Sequence, residues 1–152
     1  MRIPVKILIA DDSDIVRKQI TLLAKRACPG CTINETTTVG GTILALQSIE
    51  PDVVVLDLSF PDGTGLSVLE WLNARNGTAD KSESYKKTPA TYVFTNHPDE
   101  PNRVRCAQLG AADFFDKSFD FERLFDVLQI AARPGSNPDA TASETEPERG
   151  GV

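Results

Sequence analysis

The chain has 152 residues, 40 % of them apolar, and a formal net charge of −6, which fits one globular domain of ordinary size. No lysine/arginine stripe is present, so nucleic acid is not expected as a direct partner, because duplex binding relies on a basic face. The N-terminal apolar run is too short for a signal-peptide core or a membrane span, and a soluble cytoplasmic protein without membrane contact is the default expectation.

The first predicted strand, Val5–Ala10, runs directly into Asp11 and Asp12. A helix over about Asp14–Ala27 follows, with Val16, Ile20, Leu23 and Ala27 on one stripe, and Pro29-Gly30 stops it. Thr32–Thr36 is a short polar strand, which predicts an edge position. A helix over about 41–49 leads through Pro51 to the strand Val53–Leu56, which ends on Asp57. That strand is continuously apolar and β-branched, as expected of a central strand covered on both faces.

Residues 61–65 read as a loop, 66–76 as the third helix and 77–88 as an exposed loop. The strand Ala90–Thr95 and a helix over about 102–109 come next, with Gly110 in the position of a C-cap. Asp113–Asp116 forms the fifth strand and stops at Lys117. The fifth helix, about 120–132, carries Phe121, Leu124, Phe125 and Leu128 on its core face; Val127 and Ile130 lie off that stripe and hint at a contact surface. Residues 134–152 are Pro/Gly/Ser/Thr/Glu-rich and nearly free of apolar side chains, so they are expected to be a disordered tail behind a domain spanning 1–133. Strands alternating with helices at this spacing imply an α/β fold, a doubly wound five-stranded parallel sheet with five helices in three layers.

A parallel sheet brings the carboxyl ends of its strands to one edge, where open α/β sheets bind their ligands. Asp11, Asp12, Asp57, Thr95 and Lys117 would meet there. Like charges a few ångströms apart raise one another's pKa, and Lys117 offsets only one of three carboxylates. A hard divalent cation, Mg²⁺ or Mn²⁺, would resolve the conflict through carboxylates, a carbonyl and water. The Asp57 carboxylate could then attack a phosphoryl donor in line, with the cations absorbing charge on the equatorial oxygens and Thr95 donating a hydrogen bond to one of them.

Three cysteines do not make a disulfide framework. Cys28-Pro29-Gly30-Cys31 matches C-x-x-C, but it follows a helix C-terminus, where the dipole does not lower a thiol pKa. No second pair completes a zinc site. Two ordinary loop thiols are the plainer reading, and Cys106 reads as a small buried residue.

These residues carry a resemblance to the receiver domains of two-component response regulators. The match consists of Asp11-Asp12 after the first strand, Asp57, Pro61 and Gly65 in a D-x-x-x-P-x-x-x-G arrangement, Thr95, Gly110-Ala111-Ala112-Asp113-Phe114, and Lys117. It runs in unbroken order from about Val5 to Ala132. The resemblance implies a flavodoxin-like strand order 2-1-3-4-5. It also implies that Asp57 accepts a phosphoryl group from a sensor histidine kinase or a phosphotransfer protein. Asp12, Asp57 and the Ser59 backbone carbonyl would hold Mg²⁺, with Asp11 acting through water, and Lys117 would hold the phosphoryl group. Thr95 and Phe114 would form the switch, signalling through the fourth helix, fifth strand and fifth helix to a downstream protein or a second copy. Ser59 and His97 occupy positions that tune hydrolysis in the family; the plainer reading of His97 is an exposed loop histidine before Pro98.

The chain departs from the family pattern in four places. Asn96 stands where a very small residue is usual, Ser118 replaces the proline after the lysine, Phe114 lacks the hydroxyl of the common tyrosine, and the loop before the fourth strand is long. The function implied is a signalling switch without an output domain of its own, not an enzyme acting on other molecules. Two alternatives remain open. A degenerate, phosphorylation-independent binding module draws on Asn96 and Ser118. An aspartate-nucleophile phosphatase of the haloacid-dehalogenase type would need an acid two residues after Asp57, where Ser59 stands.

Overall fold

A computed structural model describes residues 4–76 and 88–132. The expected loop, apart from Thr88, and the expected C-terminal tail lie outside those residues. In chain order the elements are β1 (Lys6–Ala10), α1 (Asp14–Ala27), β2 (Thr32–Thr36), α2 (Val39–Ile49), β3 (Val53–Leu56), β4 (Ser59–Phe60) and β5 (Gly63–Thr64). They continue with α3 (Gly65–Asn76), β6 (Ala90–Thr95), α4 (Glu100–Gln108), β7 (Asp113–Asp116) and α5 (Phe121–Ala131).

The main sheet has five parallel strands in the order β2-β1-β3-β6-β7. Counting only these strands, this is the expected 2-1-3-4-5. The polar β2 sits at one edge, and β3, buried at all four residues, sits at the centre. Strand alternation divides the core in two, since successive side chains point to opposite faces. Ile7, Ile9, Val53, Val55, Tyr92, Phe94 and Phe115 pack with α1 and α5. Leu8, Ala10, Val54, Leu56, Val93 and Phe114 pack with α2, α3 and α4. Fully burying each such aliphatic side chain is worth roughly 1.5–3 kcal/mol, so the sheet interior supplies much of the folding free energy.

Several boundaries differ from expectation, each for a local reason. Helix α2 starts at Val39, because the Thr38 hydroxyl accepts the Gly41 N–H at 2.9 Å and caps it. Helix α4 starts at Glu100, because Asp99 accepts the Asn102 N–H at 2.9 Å and Pro101 fits the first turn. The segment after Asp57 is a two-residue antiparallel hairpin, Ser59 opposite Thr64 and Phe60 opposite Gly63, where a loop was expected. On α1 and α5 the predicted stripes face inward, with Ile20, Ala27, Leu124 and Leu128 buried. Val127, partly buried, also packs against the core. Among the described residues, the exposed large apolar side chains are Ile15, Leu22, Leu44, Val104 and Phe119.

Candidate functional site

The acidic residues are positioned by continuation of the sheet ladder past the strand ends. The Asp57 N–H donates to the Ala10 carbonyl at 2.9 Å, the Asp11 N–H to the Thr36 carbonyl at 3.1 Å, and the Lys117 N–H to the Thr95 carbonyl at 2.9 Å. Neighbouring parallel strands thereby deliver Asp11, Asp57 and Lys117 to one edge. Asp11 is 2 % and Asp57 5 % exposed; Asp12 faces solvent. One carboxylate oxygen from each of the three lies within 4.8 Å of the others.

Lys117 reaches into this cluster with its side chain 7 % exposed, its Nζ 2.6 Å from Asp11 Oδ2 and 2.9 Å from Asp57 Oδ2. Asp57 Oδ1 accepts the Leu58 N–H at 2.7 Å and Asp11 Oδ1 the Ser13 N–H at 2.8 Å. Burial pushes the Asp11 carboxyl above the ordinary carboxylate range, against the opposing pull of Lys117 and the Ser13 N–H, and the nearby Asp57 charge adds to the rise. Burial also works against the Lys117 ammonium, but its bonds to Asp11 and Asp57 outweigh this and hold its pKa above the usual lysine value. Three carboxylates face one ammonium, so the notch is short of positive charge. An all-oxygen donor set with a charge deficit fits a hard divalent cation rather than a soft one.

Thr95, fully buried, ends β6 beside the notch, and its hydroxyl accepts the His97 N–H at 3.0 Å, leaving its own hydrogen free to donate. In the β6–β7 register Val93 lies opposite Phe114 and Thr95 opposite Asp116, so Thr95 and Phe114 share the sheet face on which α4 packs. Phe114 is 5 % exposed, with the Arg103 guanidinium 4.9 Å above its ring. Asn96 and His97 are exposed on the loop after β6, and Ser59 is exposed at the start of β4. The described residues contain no cis peptide bond. The turn that would carry the family's proline is tied down by Asp116, which accepts the Ser118 N–H at 2.8 Å while its own N–H donates to Asp120 Oδ2 at 2.8 Å.

Three supporting residues were not anticipated from the sequence. Arg17 donates to the Asp11 carbonyl and to Glu35, each at 2.8 Å, and also pairs with Asp14, joining β1, β2 and α1 behind the notch. Asp62 in the β4–β5 hairpin accepts the Val39 and Gly40 N–H groups at 2.8 and 3.1 Å, capping α2 from a distant loop. Arg103 covers Phe114. Lone charged residues of this kind read as solvated surface, and no spacing in the chain links them to their partners. Gly65, by contrast, was part of the motif, and its reason is steric: a Cβ there would lie 2.1 Å from the Asp57 carbonyl oxygen.

The described residues thus form a doubly wound parallel sheet with a lysine-braced acidic cluster at its carboxyl edge. Residues 7–129 match the response regulator receiver domain, and the chain belongs to that family. It is 31 % identical to the transcriptional regulatory protein FixJ of Azorhizobium caulinodans over 142 residues, 91 % of this chain and 61 % of that protein. It is 30 % identical to a protein-glutamate methylesterase/protein-glutamine glutaminase of Anaeromyxobacter dehalogenans, over 75 % of this chain and 30 % of that protein. The chain thus spans less than two thirds of these relatives. In fold it is similar to a LuxR-family two-component response regulator from Aurantimonas (TM-score 0.70, 24 % identity, 97 % of this chain and 99 % of that one). A LuxR-family DNA-binding response regulator from Staphylococcus aureus is also similar (TM-score 0.71, 18 % identity, 85 % and 99 %). Receiver domains bind Mg²⁺ at an acidic pocket and work between histidine kinases and downstream effectors. No helix among the described residues is long and apolar enough to cross a membrane.

Proposed function

We propose that Asp57 is a phosphoacceptor and that this receiver acts as a phosphorylation-driven switch. The observation that carries the reading is the Lys117 ammonium braced between Asp11 and Asp57 inside a three-carboxylate cluster. Asp12, Asp57 and the Ser59 carbonyl would hold Mg²⁺ or Mn²⁺, with Asp11 acting through water; the ion supplies neutralisation of carboxylate and phosphoryl charge.

An Asp57 carboxylate oxygen attacks the phosphorus of a phosphohistidine in line. The P–O bond forms as the P–N bond breaks, and the histidine nitrogen leaves with the bonding electron pair. Lys117 exchanges one of its carboxylate contacts for a phosphoryl oxygen, and Thr95 donates its free hydroxyl hydrogen to another. Movement of Thr95 lets Phe114, packed on the same sheet face, shift under Arg103. The α4–β7–α5 surface then passes the change to a downstream protein or a second copy, because phosphorylation biases two states only through differential contacts. Ser59 and His97, exposed at the mouth, tune water access to the acyl phosphate.

The phosphoryl source is a sensor histidine kinase or a phosphotransfer protein, in the cytoplasm, with neither nucleic acid nor membrane bound directly. The principal test is intact mass after incubation with Mg²⁺ and acetyl phosphate. One phosphoryl adduct is expected in the parent chain and none in Asp57→Asn. A parent chain without adduct, or an equal adduct in the variant, overturns the reading; the first result favours the phosphorylation-independent binding module.

A further inference from the structure

The turn between α1 and β2 carries Cys28 and Cys31 at the amino edge of the sheet, and the phosphoryl-transfer reading uses neither. The five residues of β1 separate that edge from the acidic notch, about 17 Å at ~3.3 Å per residue.

The Cys31 N–H donates to the Cys28 carbonyl at 3.1 Å. Residues 28–31 therefore form a hydrogen-bonded turn, whose end Cα atoms lie within about 7 Å, close to the ~4–7 Å that a disulfide spans. Gly30 supplies the left-handed conformation of the turn, with φ +91°. Both cysteines also converge on one acceptor: the Ala24 carbonyl takes the Cys28 N–H at 2.8 Å and the Cys31 thiol at 3.9 Å. Cys28 is buried and Cys31 half-buried, both as free thiols. Cys106 lies in the cluster on the opposite face of the sheet, so only one pairing within the chain is open.

We infer that Cys28 and Cys31 form a reversible dithiol–disulfide site whose oxidant is a low-molecular-weight disulfide such as oxidised glutathione. Cys31, the more exposed thiol, reacts first. Its thiolate attacks the glutathione disulfide, forms a mixed disulfide and releases one glutathione. The Cys28 sulfur then gives up its proton and attacks the Cys31 sulfur, forming the internal disulfide and releasing the second glutathione. Two protein thiols are oxidised and one glutathione disulfide is reduced to two thiols. Burial, with a smaller contribution from Cys31, pushes the Cys28 thiol up to about 11, and the helix C-terminus gives no help. The exchange is accordingly slow, which suits a staple or sensor and not a rapid oxidoreductase.

The test equilibrates the full chain in buffers of graded reduced-to-oxidised glutathione ratio, quenches in acid, alkylates with N-ethylmaleimide in denaturant and reads intact mass. Alkylated thiols should fall from three to one, with a peptide link mapped between 28 and 31. The transition should come at a more reducing ratio than for the same chain held unfolded in urea. Cys31→Ser should abolish it while retaining the parent's circular dichroism. Oxidation no earlier than in the unfolded chain, a persistent glutathione adduct at Cys31, or a link involving Cys106 would each overturn the inference. Measurement on the parent chain decides the matter even where a variant fails to fold.

Discussion

At the carboxyl end of β1, Asp11 is 2 % exposed and lies beside Lys117; at the other end, Cys28 is 5 % exposed in an apolar cluster. Burial raises the pKa of both acids. A thiol with a raised pKa is simply neutral at pH 7, so its burial needs no counter-charge. An ionised carboxylate needs one, because an unpaired buried charge costs several kcal/mol. The two ends of one strand thus differ in what their chemistry demands of the surroundings. The notch recruits a lysine from another strand end, whereas the thiol turn needs only packing.

The sharpest way to break this contrast is Lys117→Met. Without divalent cation it leaves Asp11 and Asp57 buried with no counter-ion, and a loss of about 3–5 kcal/mol is expected in urea unfolding at neutral pH. Because the folded pKa of Asp11 is raised above its unfolded value, the folded state binds more protons. The destabilisation should therefore shrink as pH falls through that raised pKa, and it should shrink in excess Mg²⁺. A variant as stable as the parent in metal-free buffer would mean that the notch does not need its cation.

A glycine pair compares the backbone at the two ends. Gly65→Ala forces a Cβ to 2.1 Å from the Asp57 carbonyl oxygen, while at Gly30 a Cβ meets nothing within 4 Å. About 1–3 kcal/mol of overpacking, or more, is expected for Gly65→Ala, with impaired phosphoryl uptake. Gly30→Ala carries only the left-handed penalty of roughly 1–2 kcal/mol and should leave uptake at the parent level. Equal effects on uptake would erase the distinction.

The smallest effect is expected at Asp62. Hydrogen bonds from Val39 and Gly40 hold its carboxyl below the ordinary value of 3.8. Stability from a depressed carboxylate is present above the unfolded pKa and is lost as pH falls through the folded one. Asp62→Asn should therefore be slightly less stable than the parent at pH 7, and the difference in thermal midpoint should close in acid. A gap that stays constant with pH would remove charge from the explanation.

The layered α/β architecture was legible because it follows from local periodicity. The unbroken Val53–Leu56 run marked a central strand, the polar Thr32–Thr36 run an edge, and the Ile20 and Leu124 stripes the buried helix faces. The gathering of Asp11, Asp57 and Lys117 was legible for the same reason: strand ends converge in any parallel sheet, so these residues could be brought together from their places in the alternation. The hairpin after Asp57 was missed, since two-residue strands carry no periodicity, and the early starts of α2 and α4 depended on single capping side chains.

What the chain determines by itself is the set of groups at each strand end, because hydrophobic period and strand termini are written in consecutive residues. Tertiary structure alone decided the rest: Lys117 set between two carboxylates, Arg17 behind Asp11, Asp62 on the end of α2, and Cys31 turned onto the Ala24 carbonyl. Each depends on a hydrogen bond or ion pair whose angle and distance arise only when separate elements pack.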